Sequence, residues 1–315
     1  MTLSSVRKEG RLYKGVNTAF VLLLMLLMIC YSKQVKSSII YGMGLSFTTV
    51  IPTLFPFLVF ADALSHFMGQ NNCGIIGKAF HNLLGFPPRM ASAFILGTLC
   101  GFPLGVRMAA KEYHDGNIDK STLEDICALC ASPSPAFIIS GVGIGIYGSI
   151  EIGILLYLSM LISIFITAFI LQKKHGPIIN SQDSSRQSFD LIASISSAGI
   201  TSVAVASYII FFSSLIGLTK AITGSDVISA LASLFLEVSS ACSSISSING
   251  FTESLRLCLV AFAIGFSGLS VHLQYYSMLP KDISKSRFLS KKLLQGILSA
   301  LILFILLTIK KAVLR

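Results

Sequence analysis

Charge is what this chain has least of. Gly15–Ser32 carries none, Ser37–Ala61 carries none, and Leu191–Thr219 runs 29 residues without one. Only 12% of the 315 residues are Asp, Glu, Lys or Arg, about half the share of a soluble domain, which excludes that class. The apolar runs are continuous rather than alternating, which excludes the pattern of a membrane β-barrel. There is no P-loop, no G-x-S-x-G and no H-E-x-x-H, so neither an ATP-driven pump nor a familiar hydrolase is written here. An intramembrane hydrolase has no nucleophile and base to point to, and the chain is not expected to be an enzyme. The first apolar run lacks a small-residue cleavage site, because Met28, Ile29, Cys30 and Tyr31 stand at its exit. It reads as a retained helix with a cytoplasmic N-terminus. The seven cysteines are odd in number and scattered, which is no disulfide framework. Cys127 and Cys130 form a C-x-x-C, but no second pair or histidine stands at zinc spacing. No metal and no cofactor are expected.

What is present is length. A bilayer core of about 30 Å takes roughly 20 apolar residues of helix. Apolar segments run over 16–32, 40–66, 90–106, 124–149, 151–172, 191–219, 227–247, 255–279 and 293–309. Lipid satisfies no backbone group, so helices are required. The fold class is all-α, a polytopic transmembrane bundle of about eight segments. The formal net charge of +10 resides outside these runs, at Arg7, Lys8, Arg11 and Lys14 and again at Lys281, Lys285, Arg287, Lys291 and Lys292. That reads as positive-inside topology and anionic-lipid contact, not nucleic-acid binding.

Function must then be sought where polar residues and helix breakers interrupt the apolar runs. Gly97, Gly101 and Gly105 are spaced to share one helix face and to let another backbone approach. Pro103 and Arg107 follow, marking a broken helix. Ser132-Pro133-Ser134-Pro135 breaks segment 124–149, and such a break is tolerated only where it is packed in protein or lines a cavity. Gly141, Gly143, Gly145 and Gly148 come next. Glu237 stands inside 227–247, beside a serine run, as a candidate for a proton- or cation-linked site. Gly265 and Gly268 precede His272 and Gln274. The histidine is a titratable group, and the amide offers both donor and acceptor. Asp62 and His66 share a face near the end of 40–66. Between Arg107 and Asp125 the spacing predicts an elbow, with Gly116 ending one helix and Ser121–Glu124 opening the next as a capping box.

The halves are weakly alike, in the order 57–64 with 209–215, 95–110 with 234–247, and 132–148 with 265–274. Transporters often repeat in this way, with the substrate site at the repeat interface. The expected division is a basic segment and first helix at 1–38, a gate-like repeat at 39–175, a polar linker at 176–190 and a second gate-like repeat, inverted relative to the first, at 191–315.

These elements resemble a known group. Gly101-Phe102-Pro103-Leu104-Gly105, the elbow to Glu124, Ser134–Phe137 with Gly141–Gly143, and Gly268–Gln274 are similar to sporulation integral membrane proteins of the YlbJ type, within the wider nucleoside-recognition or gate-domain membrane proteins. The resemblance covers roughly 45–305. In that pattern an asparagine precedes the Ser/Gly-Pro-x-Phe element. Here Ala131 and Ser132 stand there, which shifts hydrogen bonding to Ser132 and Ser134. The resemblance implies a multi-pass protein of the bacterial inner or forespore-surrounding membrane that moves or senses a small polar solute, nucleosides being the named class. The candidate substrate-binding set is Pro103, Arg107, Ser132, Ser134, Pro135, Glu237, His272 and Gln274. Gly97, Gly101, Gly105, Gly141, Gly145 and Gly268 are expected in helix packing. The alternative is a non-transporting scaffold for spore envelope assembly, docking through the 107–125 elbow. Expected partners are the bilayer and the solute, with a second copy or other sporulation membrane proteins as further candidates.

Overall fold

The structure, a computed structural model, describes residues 3–68, 74–171, 189–280 and 283–313, and the side chains of those residues apart from 3–14, 65–68, 102 and 103. Cys73, Lys281 and most of the 176–190 linker lie outside the described residues, as do the side chains of Arg7, Lys8, Arg11, Lys14, His66 and Pro103.

Every regular element among the described residues is helical. Helix α1 (Leu3–Cys30) is followed at once by α2 (Ser32–Leu45), a π turn over Ser46–Val50, and α3 (Ile51–Met68). After α4 (Gly74–Leu84) come α5 (Met90–Cys100), α6 (Phe102–His114), α7 (Lys120–Cys130), a π segment over Ala136–Ile144, and α8 (Ile150–Ile170). The second half holds α9 (Leu191–Thr223), α10 (Asp226–Leu236), α11 (Val238–Ser246), α12 (Glu253–Phe266), α13 (Gly268–Met278) and α14 (Lys285–Val313). Five stretches among the described residues are long and apolar enough to cross a bilayer: Ser32–Leu64, Ile150–Ile170, Leu191–Thr223, Glu253–Met278 and Lys285–Val313. Large apolar side chains stand exposed along them, such as Phe60, Ile200, Phe211 and Phe304. In lipid that is the expected outer surface. This is a multi-pass membrane protein.

The long helices pack antiparallel. Asp62 meets Ser194, Gly42 sits against Ser213, and Gly217 against Ser38. Helix α8 likewise runs against α14, with Glu151 on Lys310 at 2.6 Å and Ser159 on Ser299 at 3.3 Å.

Three further apolar segments are interrupted. The first break is Gly101, with φ +91°. A Cβ at Gly105 would stand 2.7 Å from the Gly97 Cα. In a continuous helix eight residues are about 12 Å apart, so α5 and α6 fold back into a hairpin with Gly101 at its tip. The expectation of one helix face bearing Gly97, Gly101 and Gly105 is corrected accordingly. These glycines face one another across the hairpin, and Pro103 starts α6 rather than disrupting it. A positive φ at the tip and missing side chains on both arms are what only glycine provides. The second interruption is Glu237, extended at φ −153° and ψ 122°, with α10 and α11 packed on each other around it. The third is Ser267, in the left-handed region at φ +71°.

The break at 131–135 is where the two prolines place it. The elbow forms, and Gly116 ends its first helix at φ +75°. The next helix is capped differently from the expected box: the Asp119 carboxylate accepts from the Thr122 N–H at 2.9 Å, which leaves Glu124 for a contact across the bundle.

A methyl added at Gly105 would meet Gly97, Ala93 and Cys130 within 2.8 Å. Gly105→Ala should therefore cost about 1–3 kcal/mol through overpacking. Gly199→Ala, with nothing within 4 Å, should be neutral or slightly stabilising. Thermal unfolding of the detergent-purified variants measures both.

Candidate functional site

Four interruptions converge on one place. The Gly101 tip touches the backbone of Ser134 in the proline break, where an added Cβ would stand 3.4 Å away. Gly268, just past Ser267, lies against the backbone of Glu237, its own Cβ position 3.2 Å from the Glu237 Cα. Between them is a cavity of about 40 Å3, room for a few waters. Gly101, Pro133, Ser134, Glu237, Ser270 and Gln274 line it, with apolar walls from α3, α9 and α11.

Helix ends inside lipid leave carbonyls and N–H groups that only protein can satisfy. At the end of α7 the Lys292 ammonium donates to the Ala131 carbonyl at 2.6 Å and to Gln295 Oε1 at 2.7 Å. The Gln295 amide in turn donates to the Ala128 carbonyl at 3.3 Å. Lys292 and Gln295 are fully buried. A cation at a helix C-terminus meets the negative end of the macrodipole. The Ser267 hydroxyl reaches the same Ala131 carbonyl at 3.2 Å, tying the third break to the proline break. At the end of α12, His272 Nε2 donates to the Phe266 carbonyl at 2.8 Å. On the N-terminal side, the Ser134 hydroxyl accepts from the Phe137 N–H at 3.2 Å. The Glu237 carboxylate accepts from the N–H groups of Ser239 at 2.9 Å and Ser240 at 2.6 Å, completing the first turn of α11.

Two of the lining residues keep polar side-chain groups that no described residue engages. The Ser270 hydroxyl is buried without a hydrogen-bond partner. Gln274, one turn further along α13 and 4% exposed, makes no side-chain hydrogen bond to a described residue. A buried amide with neither donor nor acceptor used is costly unless something else fills that space.

The candidate residues therefore divide. Ser134, Glu237 and Gln274 line the cavity, and Pro135 starts the π segment beside it. Ser132 is buried with its hydroxyl unpartnered but off the cavity. His272 stands behind α13, edge-on to Phe266 and Phe288. Arg107 lines a separate recess with Asp62, Ser194 and Thr201. Gly97 packs on Cys130, Gly141 on Thr49, and Gly145 against its own preceding turn. Sequence reasoning missed Ser270, although it shares a helix face with Gln274 at i, i+4.

It also missed the inward turn of two residues in the basic run of α14, Lys291 and Lys292. Lys292 is interior, Lys291 pairs with Asp125, and Arg287 reaches Glu124 at 3.4 Å. Glu124 also accepts from the Ser284 N–H at 2.9 Å. Expected outside the apolar runs in contact with anionic lipid, Arg287 and Lys291 also hold the elbow, and Lys292 serves the end of α7.

The chain is similar to the sporulation integral membrane protein YlbJ of Bacillus subtilis (strain 168), at 23% identity over 309 aligned residues that cover 84% of this chain and 76% of that protein. No family model matches, and no solved structure matches. The relative is named as an integral membrane protein, the class that the apolar helices here establish.

Lys292→Met would leave the Ala131 and Gln295 acceptors buried and short of a donor. The expected loss is about 1–3 kcal/mol, read as a lower melting temperature in detergent. Lys285→Met, which removes an ammonium 5.4 Å from the Tyr276 ring at an exposed site, should change it little.

Proposed function

We propose that this chain binds a small polar solute where the hairpin tips and interrupted helices meet, passes or senses it across the membrane, and acts in a spore-forming bacterium as the name of its relative indicates. The observation that carries the reading is the pair Ser270 and Gln274, one turn apart on α13, buried, without a described side-chain partner and lining the same cavity as Glu237. Pockets of this kind set a few placed polar groups in apolar walls. At about 40 Å3 the cavity has room for water-sized contents, so a nucleoside enters only when the tips part.

Two inverted gate-like repeats are part of the proposal. Each half runs long helix, interrupted helix, interrupted helix, long helix. The two opening helices are antiparallel at Asp62–Ser194, and the two closing helices at Glu151–Lys310. Inversion about an axis in the membrane plane produces that relation, with the site on the axis. The elbow and the start of α14 share one face of the bundle. Their lysines and arginines make that face cytoplasmic by the positive-inside rule.

A scaffold docking through the elbow has less to work with. Glu112, Glu124 and Asp125 are buried and engaged by Arg89, Arg287 and Lys291 within the chain.

The test is thermal stability of the purified protein with nucleosides, nucleobases and small carboxylates. A ligand that binds the folded state raises stability by mass action. A saturable rise with one of these compounds, lost in Gln274→Ala and reduced in Glu237→Gln, is expected. No rise with any compound, or a rise indifferent to Gln274→Ala, contradicts the assignment.

A further inference from the structure

A second recess lies one helical turn from the central cavity on the same walls. Leu54 of α3 lines the cavity and Leu58 the recess; the Gly101 tip lines the cavity and Leu104 of α6 the recess; on α9, Val205 lines the cavity and Thr201 the recess. Each step is three or four residues, about 5–6 Å along a helix. The two spaces are therefore successive stations in one groove between α3, α6 and α9. The recess lies towards the elbow end of α6.

Unlike the cavity, the recess holds a cation. The Arg107 guanidinium is exposed and makes no ion pair to a described residue. It donates to the Thr201 hydroxyl at 3.0 Å and to the Ser197 hydroxyl at 3.5 Å. Asp62 stands on the α3 wall and accepts from the Ser194 hydroxyl. The recess thus has one wall of each sign, joined by a row of hydroxyls on α9. It can orient a solute as well as attract one.

We propose that this recess is the entry station for the central cavity, and that Arg107 receives the carboxylate or phosphate of an arriving solute. A guanidinium presents paired N–H donors that match such a group. Neutral hydroxyls are weak competitors for it, so an anion displaces them and Arg107 lets go of α9. That opens the groove one turn above the cavity. The inference rests on the reading of the cavity as a solute site, but its test needs no solute.

The test is thiol labelling of the detergent-purified full chain carrying Ser197→Cys, with anionic and cationic methanethiosulfonates of matched size. The parent chain supplies the baseline for native cysteines. Normalised to a small free thiol, the anionic reagent should react about fivefold faster, the effect of one charge acting over a few ångströms through water. Arg107→Gln should abolish or reverse that preference, because Asp62 stays in the recess. Thr201→Cys serves as a second position, with the same expectation, should Ser197→Cys fail to fold. Equal rates or a cationic preference with Arg107 in place, an anionic preference that survives Arg107→Gln, or no labelling at either position would each overturn the proposal. Charge-selective labelling alongside a failed thermal-shift test would retain the recess and reject the central solute site.

Discussion

A helix that stops inside a hydrocarbon slab strands backbone carbonyls and N–H groups that lipid cannot satisfy. This bundle interrupts helices at Gly101, at 131–135, at Glu237 and at Ser267, so its interior is organised by how those groups find partners. The answer is an asymmetric one. The C-termini of α7 and α12 are served from behind, by Lys292 and Gln295 on α14 and by His272 on α13. At two of the four breaks the helix N-terminus is served by a residue of the break itself, Ser134 or Glu237. Ser270 and Gln274, which serve neither, line the space in the middle. The cavity thus mixes polar groups that the backbone engages, Ser134 and Glu237, with two that it does not.

Bringing four breaks together needs backbones closer than side chains allow. Gly105 against Gly97 folds the first hairpin, Gly268 admits the second tip, and Gly143 against Gly153 seats the π segment on α8. Ser38, Gly42, Ser213 and Gly217 do the same for the long helices. Between helices in lipid, where burial gives little drive, such close packing and interhelical hydrogen bonds carry the association. The charged residues act at the rim. Glu124 and Asp125 tie the elbow to the start of α14, and this anchors the helix that carries Lys292.

The membrane class, the proline break and the interior polar residues Glu237 and Gln274 were legible in the sequence, because each is a local departure from an apolar background. A break near Pro103 was legible too, though not its hairpin geometry, while the breaks at Glu237 and Ser267 were not. Residues 227–247 read as one segment, since a single extended residue at Glu237 leaves the apolar content on either side unchanged. Ser267 gave no signal either, a serine being an unusual choice for a left-handed position. The glycines of 97–105 were noticed, but their four-residue spacing suits a packed helix face as well as a hairpin, and only tertiary structure separates the two. Lys292 was hidden by its neighbours. In a run with Lys285, Arg287 and Lys291 it looks interfacial, and helical rotation alone turns it inward while Arg287 stays out.

The account stands on a cavity among the interrupted helices, apolar-walled with a few polar groups, that small solutes can reach. Its most direct test is reaction of Ser270→Cys with a small neutral thiol reagent, beside Ser299→Cys, a serine equally buried between α8 and α14 but away from the cavity. The account predicts modification at position 270 in the folded protein and none at 299. Two cysteines equally inert would contradict it, because the space bounded by Glu237, Ser270 and Gln274 would then be closed packing and not a site.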